Sequence, residues 1–101
     1  MRLTGYDYIL ENHRRCGGLE RLSGCIEAAR RDGFETILCD NGDFLQGSPL
    51  AQKAMELDDM RAHPMVVAMN ALNYDAISLG NHEFDFGSVK LRQVIDALDA
   101  A

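Results

Sequence analysis

Two short apolar runs, Phe34 to Cys39 and Asp75 to Leu79, each stop abruptly at a cluster of polar, turn-forming residues. The first gives way to Asp40-Asn41-Gly42-Asp43 and the second to Gly80-Asn81-His82-Glu83. Short runs bounded by turn residues read as strands, and Phe34 to Cys39, with Thr36 and Ile37 inside it, reads as a buried one. Segments of helical periodicity lie between and around them, giving the order helix, strand, helix pair, strand, helix. That alternation predicts an α/β fold with parallel strands and right-handed crossover helices.

The helical segments have recognisable limits. From Leu19, the positions Leu19, Leu22, Ile26 and Ala29 keep helical spacing with Arg and Glu on the other face, and Asp32-Gly33 ends the segment. Pro49 suits the first turn of a helix running towards Met60. A further helix starts near Pro64, carries Met65, Val66, Met69 and Leu72 inward, and closes at Asn73-Tyr74. His63, just before Pro64, reads as a residue that caps or orients that helix start. In the last segment Ser88 is a candidate cap, with Leu91, Val94, Ile95 and Leu98 forming an i, i+3, i+4, i+7 stripe. The first sixteen residues, through Asn12-His13-Arg14-Arg15, are polar and aperiodic and read as a loop.

Composition narrows the class. A chain of 101 residues supports one small domain. Its formal net charge of -6 argues against general nucleic-acid binding, because no basic stripe is present to neutralise phosphates. No apolar run approaches the roughly 18 residues of a membrane span. Met1 to Gly5 contains nothing like the roughly 7–15-residue apolar core of a secretory signal. Cys16, Cys25 and Cys39 form no CxxC pair, so they read as core or helix-face residues. A zinc site built from His13, Cys16 and Cys25 has irregular spacing. The Met55, Met60, Met65 and Met69 series reads as core or helix face, and Asp58-Asp59 as a solvated turn.

The two loops are the chemically loaded positions. In parallel α/β sheets ligands bind beyond the carboxyl ends of the strands. If the two strands are neighbours, Asp43 and Asn81 therefore face one crevice despite their separation in sequence. Either loop alone is an ordinary turn signature. Together, at matching topological positions, they point to a two-metal phosphoester site, in which cations about 3.5–4 Å apart clamp a phosphoryl group. Asp43 can bridge two ions and Asn81 can offer its amide carbonyl to one. His82 can give a proton or hydrogen bond to the phosphate or leaving oxygen, with Asp85 holding its imidazole in the needed tautomer. Gly42 and Gly80 allow sharp turns beside the site. Glu83 reads equally well as a hydrogen-bond partner behind the site or as an exposed turn carboxylate.

These residues resemble the calcineurin-like metallophosphoesterase superfamily, in its 5'-nucleotidase branch. Asn41-Gly42-Asp43 followed by Gln46-Gly47-Ser48-Pro49 is similar to the second metal motif and the loop after it. His63-Pro64-Met65, Met69-Asn70-Ala71-Leu72 and Tyr74-Asp75-Ala76 lead into Gly80-Asn81-His82-Glu83-Phe84-Asp85, which is similar to the third motif. Tyr6-Asp7-Tyr8 resembles a stretch near the start of the 2',3'-cyclic-nucleotide 2'-phosphodiesterase/3'-nucleotidase branch. The resemblance implies a partial metallophosphoesterase sandwich over residues 1–101, a hydrolase acting on phosphoester bonds of nucleotides or 2',3'-cyclic nucleotides. It implies a site with two divalent metal ions, of the kind supplied by Mn, Zn, Mg, Co or Fe. Carried over by position, Asp43 bridges the metals, Asn81 binds one of them, and His82 with Asp85 forms the catalytic pair.

The same resemblance marks what this sequence lacks. The family's opening Asp-x-His motif has no counterpart in Met1 to Gly5, and its later histidine motifs and nucleoside-binding domain would fall beyond Ala101. The expectation is an N-terminal fragment with an incomplete metal site and little activity by itself. The competing expectation is a non-catalytic interaction module or pseudoenzyme remnant, which needs a partner to cover its strand edge. The family is usually periplasmic or in the cell envelope; without a signal segment, the chain as written is expected in the cytoplasm.

Overall fold

In a computed structural model, which describes residues 1, 3–7, 9–13 and 17–100, the two expected strands do run side by side. The ladder is short. Strand β3 (Cys39–Asp40) pairs in parallel with β4 (Ala76–Ile77), in the register Cys39 to Ala76 and Asp40 to Ile77. Flanking bonds prolong it slightly: the Asp75 N–H donates to Leu38 O at 2.9 Å and the Ser78 N–H to Asp40 O at 2.9 Å. The Asp75 carboxylate closes the upstream end, accepting from the Leu38 N–H at 2.7 Å.

Most of the first apolar run is neither strand nor buried, contrary to the sequence reading. Phe34 is 80% exposed and Ile37 78% exposed. A parallel pair needs partners along both edges and cover on both faces before its residues are buried. Among the described residues β3 and β4 have only each other.

A second departure lies near the start, where the expected loop contains a small antiparallel hairpin. Its strands are β1 (Tyr6–Asp7) and β2 (Asn12–His13), with the Tyr6 and His13 rings edge to face at 5.1 Å. Tyr8, Arg14, Arg15 and Cys16 lie outside the described residues. Cys25 and Cys39 are exposed thiols: Cys25 lies on a helix face, one of the two positions expected, and neither is a core residue.

The helices carry the core. Helix α1 (Leu19–Arg31) ends where Asp32-Gly33 predicts, with Gly33 at φ +78°. It buries Leu19 and Ile26, whereas Leu22 and Ala29 stay exposed. Helix α2 (Pro49–Ala54) starts at Pro49, and the Ser48 hydroxyl accepts from the Ala51 N–H at 3.2 Å. Its expected extension to Met60 is broken: a turn follows, then a 3₁₀ helix (Met60–Ala62) capped by Asp59. Helix α3 (Pro64–Ala71) buries Met65, Val66 and Met69.

Helix α4 (Gly87–Ala97) begins one residue before Ser88, which does not cap it, and buries Leu91 and Val94. Ile95 is 39% exposed, and Leu98 lies just past the helix end.

Two polar residues lock these helices together. His63, fully buried, donates from Nε2 to Ala51 O at 3.1 Å and accepts the Met65 N–H on Nδ1 at 3.2 Å. It is the cap the sequence suggested, and it also ties α3 to α2. Asn70 donates to Ala97 O at 2.9 Å and accepts the Asp99 N–H at 3.0 Å, fixing the end of α4 on α3.

Candidate active site

The loop after β3 leads straight into the core. Phe44 and Leu45, immediately after Asp43, are both fully buried among the helices. The loop after β4 is not irregular, as the sequence suggested, but a 3₁₀ helix (Asn81–Phe86) opening directly from Gly80. It carries Asn81, His82 and Asp85 within its six residues. The parallel pairing brings both loops to the same end of the strands, as topology requires.

Their approach is unusually close, and two glycines permit it. A Cβ on Gly42, whose φ is +91°, would lie 2.8 Å from Gly80 Cα and 2.9 Å from Leu79 C. A Cβ on Gly80 would lie 2.7 Å from both Cγ and N of Asp43. No side chain fits at either position without parting the loops. Asp43 itself has φ +60°, a left-handed conformation that is uncommon for residues other than glycine and best tolerated by Asn and Asp. Strain of this kind, about 1–3 kcal/mol, persists only where the surroundings hold it.

What holds it is Glu83. Its side chain is fully buried and accepts three backbone hydrogen bonds: on Oε2 from the N–H groups of Asp43 at 2.6 Å and Gly80 at 2.7 Å, and on Oε1 from Leu45 at 3.1 Å. The two possibilities left open by sequence are thus resolved in favour of a carboxylate behind the site. The bond from Gly80 is half of a capping box, since glycine has no side chain to return the other half. A Glu three residues after the turn glycine is the sequence signal for it.

The remaining groups stand at the surface of this junction. Asp43 Oδ1 accepts the His82 N–H at 3.0 Å, so the carboxylate from one loop is registered against the backbone of the other. Asn81 is exposed beside it. The His82 imidazole and the Asp85 carboxylate, each 44% exposed, meet at 2.8 Å between Nδ1 and Oδ2. The hydrogen bond to Asp85 is the main influence raising the His82 pKa above its ordinary value; desolvation opposes it, and the Asp85, Asp43 and Glu83 charges add to the rise. With Nδ1 engaged, Nε2 is the ring atom available to a ligand. Asp40, one turn back, accepts the Gly42 N–H at 2.9 Å; burial raises its pKa, partly offset by that bond.

A divalent cation tests this arrangement. The carboxylate of Asp43 and the amide carbonyl of Asn81 are oxygen donors of the type such ions accept. Yet among the described residues no group of three or more His, Cys, Asp or Glu side chains is placed to hold a metal. The donors therefore fit a cation as part of a larger shell, and not as a site of their own. His13 and Cys25 form no such group either, and Cys16 lies outside the described residues.

Comparison with known proteins places the chain. No family model matches it. It is 42% identical over 91 residues to the trifunctional nucleotide phosphoesterase protein YfkN of Bacillus subtilis (strain 168), covering 84% of this chain and 6% of that one. It is 36% identical over 101 residues to the 2',3'-cyclic-nucleotide 2'-phosphodiesterase/3'-nucleotidase of Haemophilus influenzae, covering 98% of this chain and 15% of the relative. Human 5'-nucleotidase is 43% identical over 79 residues, covering 75% of this chain and 12% of the relative.

The crystal structure of calcineurin-like phosphoesterase YfkN from Bacillus subtilis superimposes with a TM-score of 0.89 at 38% identity, over 98% of this chain and 31% of that one. The chain thus spans a small part of the length of each of these proteins. Sequence identity, the near-complete structural overlap and the two interlocked loops agree: the chain belongs to the calcineurin-like phosphoesterases, and it is similar to a part of proteins named as nucleotide and cyclic-nucleotide phosphoesterases.

Proposed function

We propose that this chain forms part of the N-terminal catalytic domain of a metal-dependent phosphoesterase acting on nucleotides or 2',3'-cyclic nucleotides, and that it is inactive without further metal donors. The observation that carries this reading is the junction of the two loops, where Asp43 Oδ1 meets the His82 N–H across 39 residues of sequence. In this reading Asp43 and Asn81 would be among the residues that hold two divalent cations. Divalent cations, when bound, neutralise phosphoryl charge and lower the pKa of a bound water.

The chain's own residues supply the rest. His82 holds its ring through the Nδ1 contact with Asp85, which leaves Nε2 to place a hydrogen bond or proton on a phosphoryl or leaving oxygen. Asp85 fixes the tautomer and ring plane and does not itself meet the substrate. Asp43 is registered by the His82 backbone, so the metal-binding and proton-donating groups meet at one junction of the two loops.

A chimera tests the assignment. The matching segment of the Bacillus subtilis phosphoesterase is replaced by residues 1–101, and hydrolysis of bis(p-nitrophenyl) phosphate is measured with manganese. The expected result is activity in the chimera, its loss by about 100-fold or more in the Asp43→Ala and His82→Ala variants, and no turnover by the isolated chain. Full activity in either variant would remove that residue from the site, and manganese-dependent turnover by the isolated chain would refute the claim of incompleteness.

A further inference from the structure

Glu83 is the one fully buried acidic side chain among the described residues, and none of the proposed chemistry uses it. A buried carboxylate is costly unless its oxygens are hydrogen-bonded. Here the donors come from both loops: Asp43 and Leu45 from the one after β3, Gly80 from the one after β4. The two bonds on Oε2, at 2.6 and 2.7 Å, have the short lengths of charge-assisted contacts, which are about twice as strong as neutral ones. One oxygen therefore clamps the Asp43 peptide to the Gly80 peptide. Those two peptides flank the glycine–glycine approach, and the first of them fixes the left-handed backbone at Asp43.

The consequence reaches a contact that Glu83 does not make. The Asp43 Oδ1 bond to the His82 N–H exists only while Asp43 keeps its φ of +60° and the loops keep their separation. We propose that Glu83 is a positioning residue of the site: by binding both loops from behind, it holds Asp43 at the distance from Asn81 and His82 that ligand binding requires, without touching the ligand. The functional part of this statement rests on Asp43 and Asn81 being metal ligands; the clamp itself does not.

The roles separate by nuclear magnetic resonance on the isotope-labelled chain. In the wild type, the amides of Asp43, Leu45 and Gly80 should exchange with solvent as slowly as those of α3. Exchange at the rate of the exposed Asn41 amide would overturn the clamp without any variant being needed. In Glu83→Gln, side-chain volume is kept, but an amide NH₂ must face at least one backbone N–H. The resonances of Asp43 and Gly80 should then shift, and the His82 amide, whose hydrogen bond goes to Asp43 Oδ1 and not to the Glu83 carboxylate, should exchange faster with solvent. An unchanged exchange rate at His82 would overturn the positioning role.

Manganese-induced broadening at Asp43 and Asn81 gives the readout that a purely structural role would not move. Loss of a residue that orients metal ligands weakens binding about 10–100-fold. Broadening in the wild type that needs that much more manganese in Glu83→Gln, at a temperature where both are folded, supports the proposal. Equal broadening in both overturns it. No broadening in the wild type, with the exchange and His82 results as expected, would overturn the metal-positioning part of the proposal and leave the clamp standing.

Discussion

The helical side and the strand side of this molecule solve the same problem with different means. On the helical side, Leu45, Met65, Val66, Met69 and Val94 are removed from water almost completely, and two buried polar residues, His63 and Ser48, bond to backbone. On the strand side the ladder is two residues long, Phe34 and Ile37 face solvent, and the register is held by polar contacts such as Asp75 to the Leu38 N–H. A helix satisfies its own backbone and needs only one apolar stripe covered, whereas a strand depends on neighbours for both bonds and burial. The candidate site belongs to neither side alone. Asp43 is delivered by the strand side but anchored, one and two residues later, by Phe44 and Leu45 in the helical core.

If that anchoring is right, a core substitution should reach the site. Leu45→Ala removes a fully buried side chain and should destabilise the chain by about 2–5 kcal/mol, the usual cost of such a cavity. Urea unfolding checks the loss. The Asp43 and Gly80 amide resonances should also shift, because the Leu45 N–H is one of the three donors to Glu83. A large loss of stability with both resonances unmoved would separate the site from the core and break the comparison.

The sequence shows these two sides unequally. Helix limits at Pro49, Pro64 and Gly33 are local, set by proline geometry and glycine's left-handed freedom, and they agree with the fold. The strands are not local. Phe34 to Cys39 has the composition of a buried strand, but burial depends on partners that lie far away in sequence or outside these residues. The site is legible in the same divided way. Asp43, Asn81, His82 and Asp85 stand out by residue type and spacing, and the structure brings them to one junction. Glu83 could not be assigned, because its value lies in three backbone bonds made across 38 to 40 residues or within one turn. The glycine–glycine contact is equally invisible until the loops are in place.

On the strand side the largest single effect should come from Asp75. Its carboxylate accepts the Leu38 N–H at 2.7 Å, while its own N–H donates to Leu38 O. Asp75→Ala keeps the second bond and removes the first, which should cost about 1 kcal/mol. The Leu38 amide should exchange faster and the α3 amides should not change. A loss as large as that of Leu45→Ala would show that the strand pair carries more of the stability than its two residues suggest.

A pH series probes the lock between the helices. Burial lowers the His63 pKa below the ordinary 6.5, opposed by its bond to Ala51 O. Between the lowered folded value and 6.5 the unfolded chain binds more protons than the folded one, so stability rises with pH across that interval. The contribution is complete above the ordinary value and lost as pH falls through the interval towards the folded one. Protonation also takes away the Nδ1 lone pair that accepts the Met65 N–H. His63→Asn keeps a capping acceptor and removes the titration. Urea midpoints at several pH values between about 7.5 and 5 should fall more steeply for the wild type than for the variant; parallel curves would show that His63 does not titrate on folding.

The smallest effect is the most discriminating. Ile37 carries a large apolar side chain, yet it is 78% exposed, so little of it leaves water on folding. Ile37→Thr keeps the β-branch, and with it the backbone preference of the segment, while removing apolar surface that the fold does not bury. The change should stay within about 0.5 kcal/mol by urea unfolding. Its contrast with Leu45→Ala is the sharpest form of the comparison, since both are aliphatic residues within eight positions of one another, on either side of the site aspartate. A loss of about 2 kcal/mol or more at Ile37, the size expected for a buried aliphatic side chain, would mean that this segment packs against something in solution. The division between a self-sufficient helical side and an open strand side would then fail.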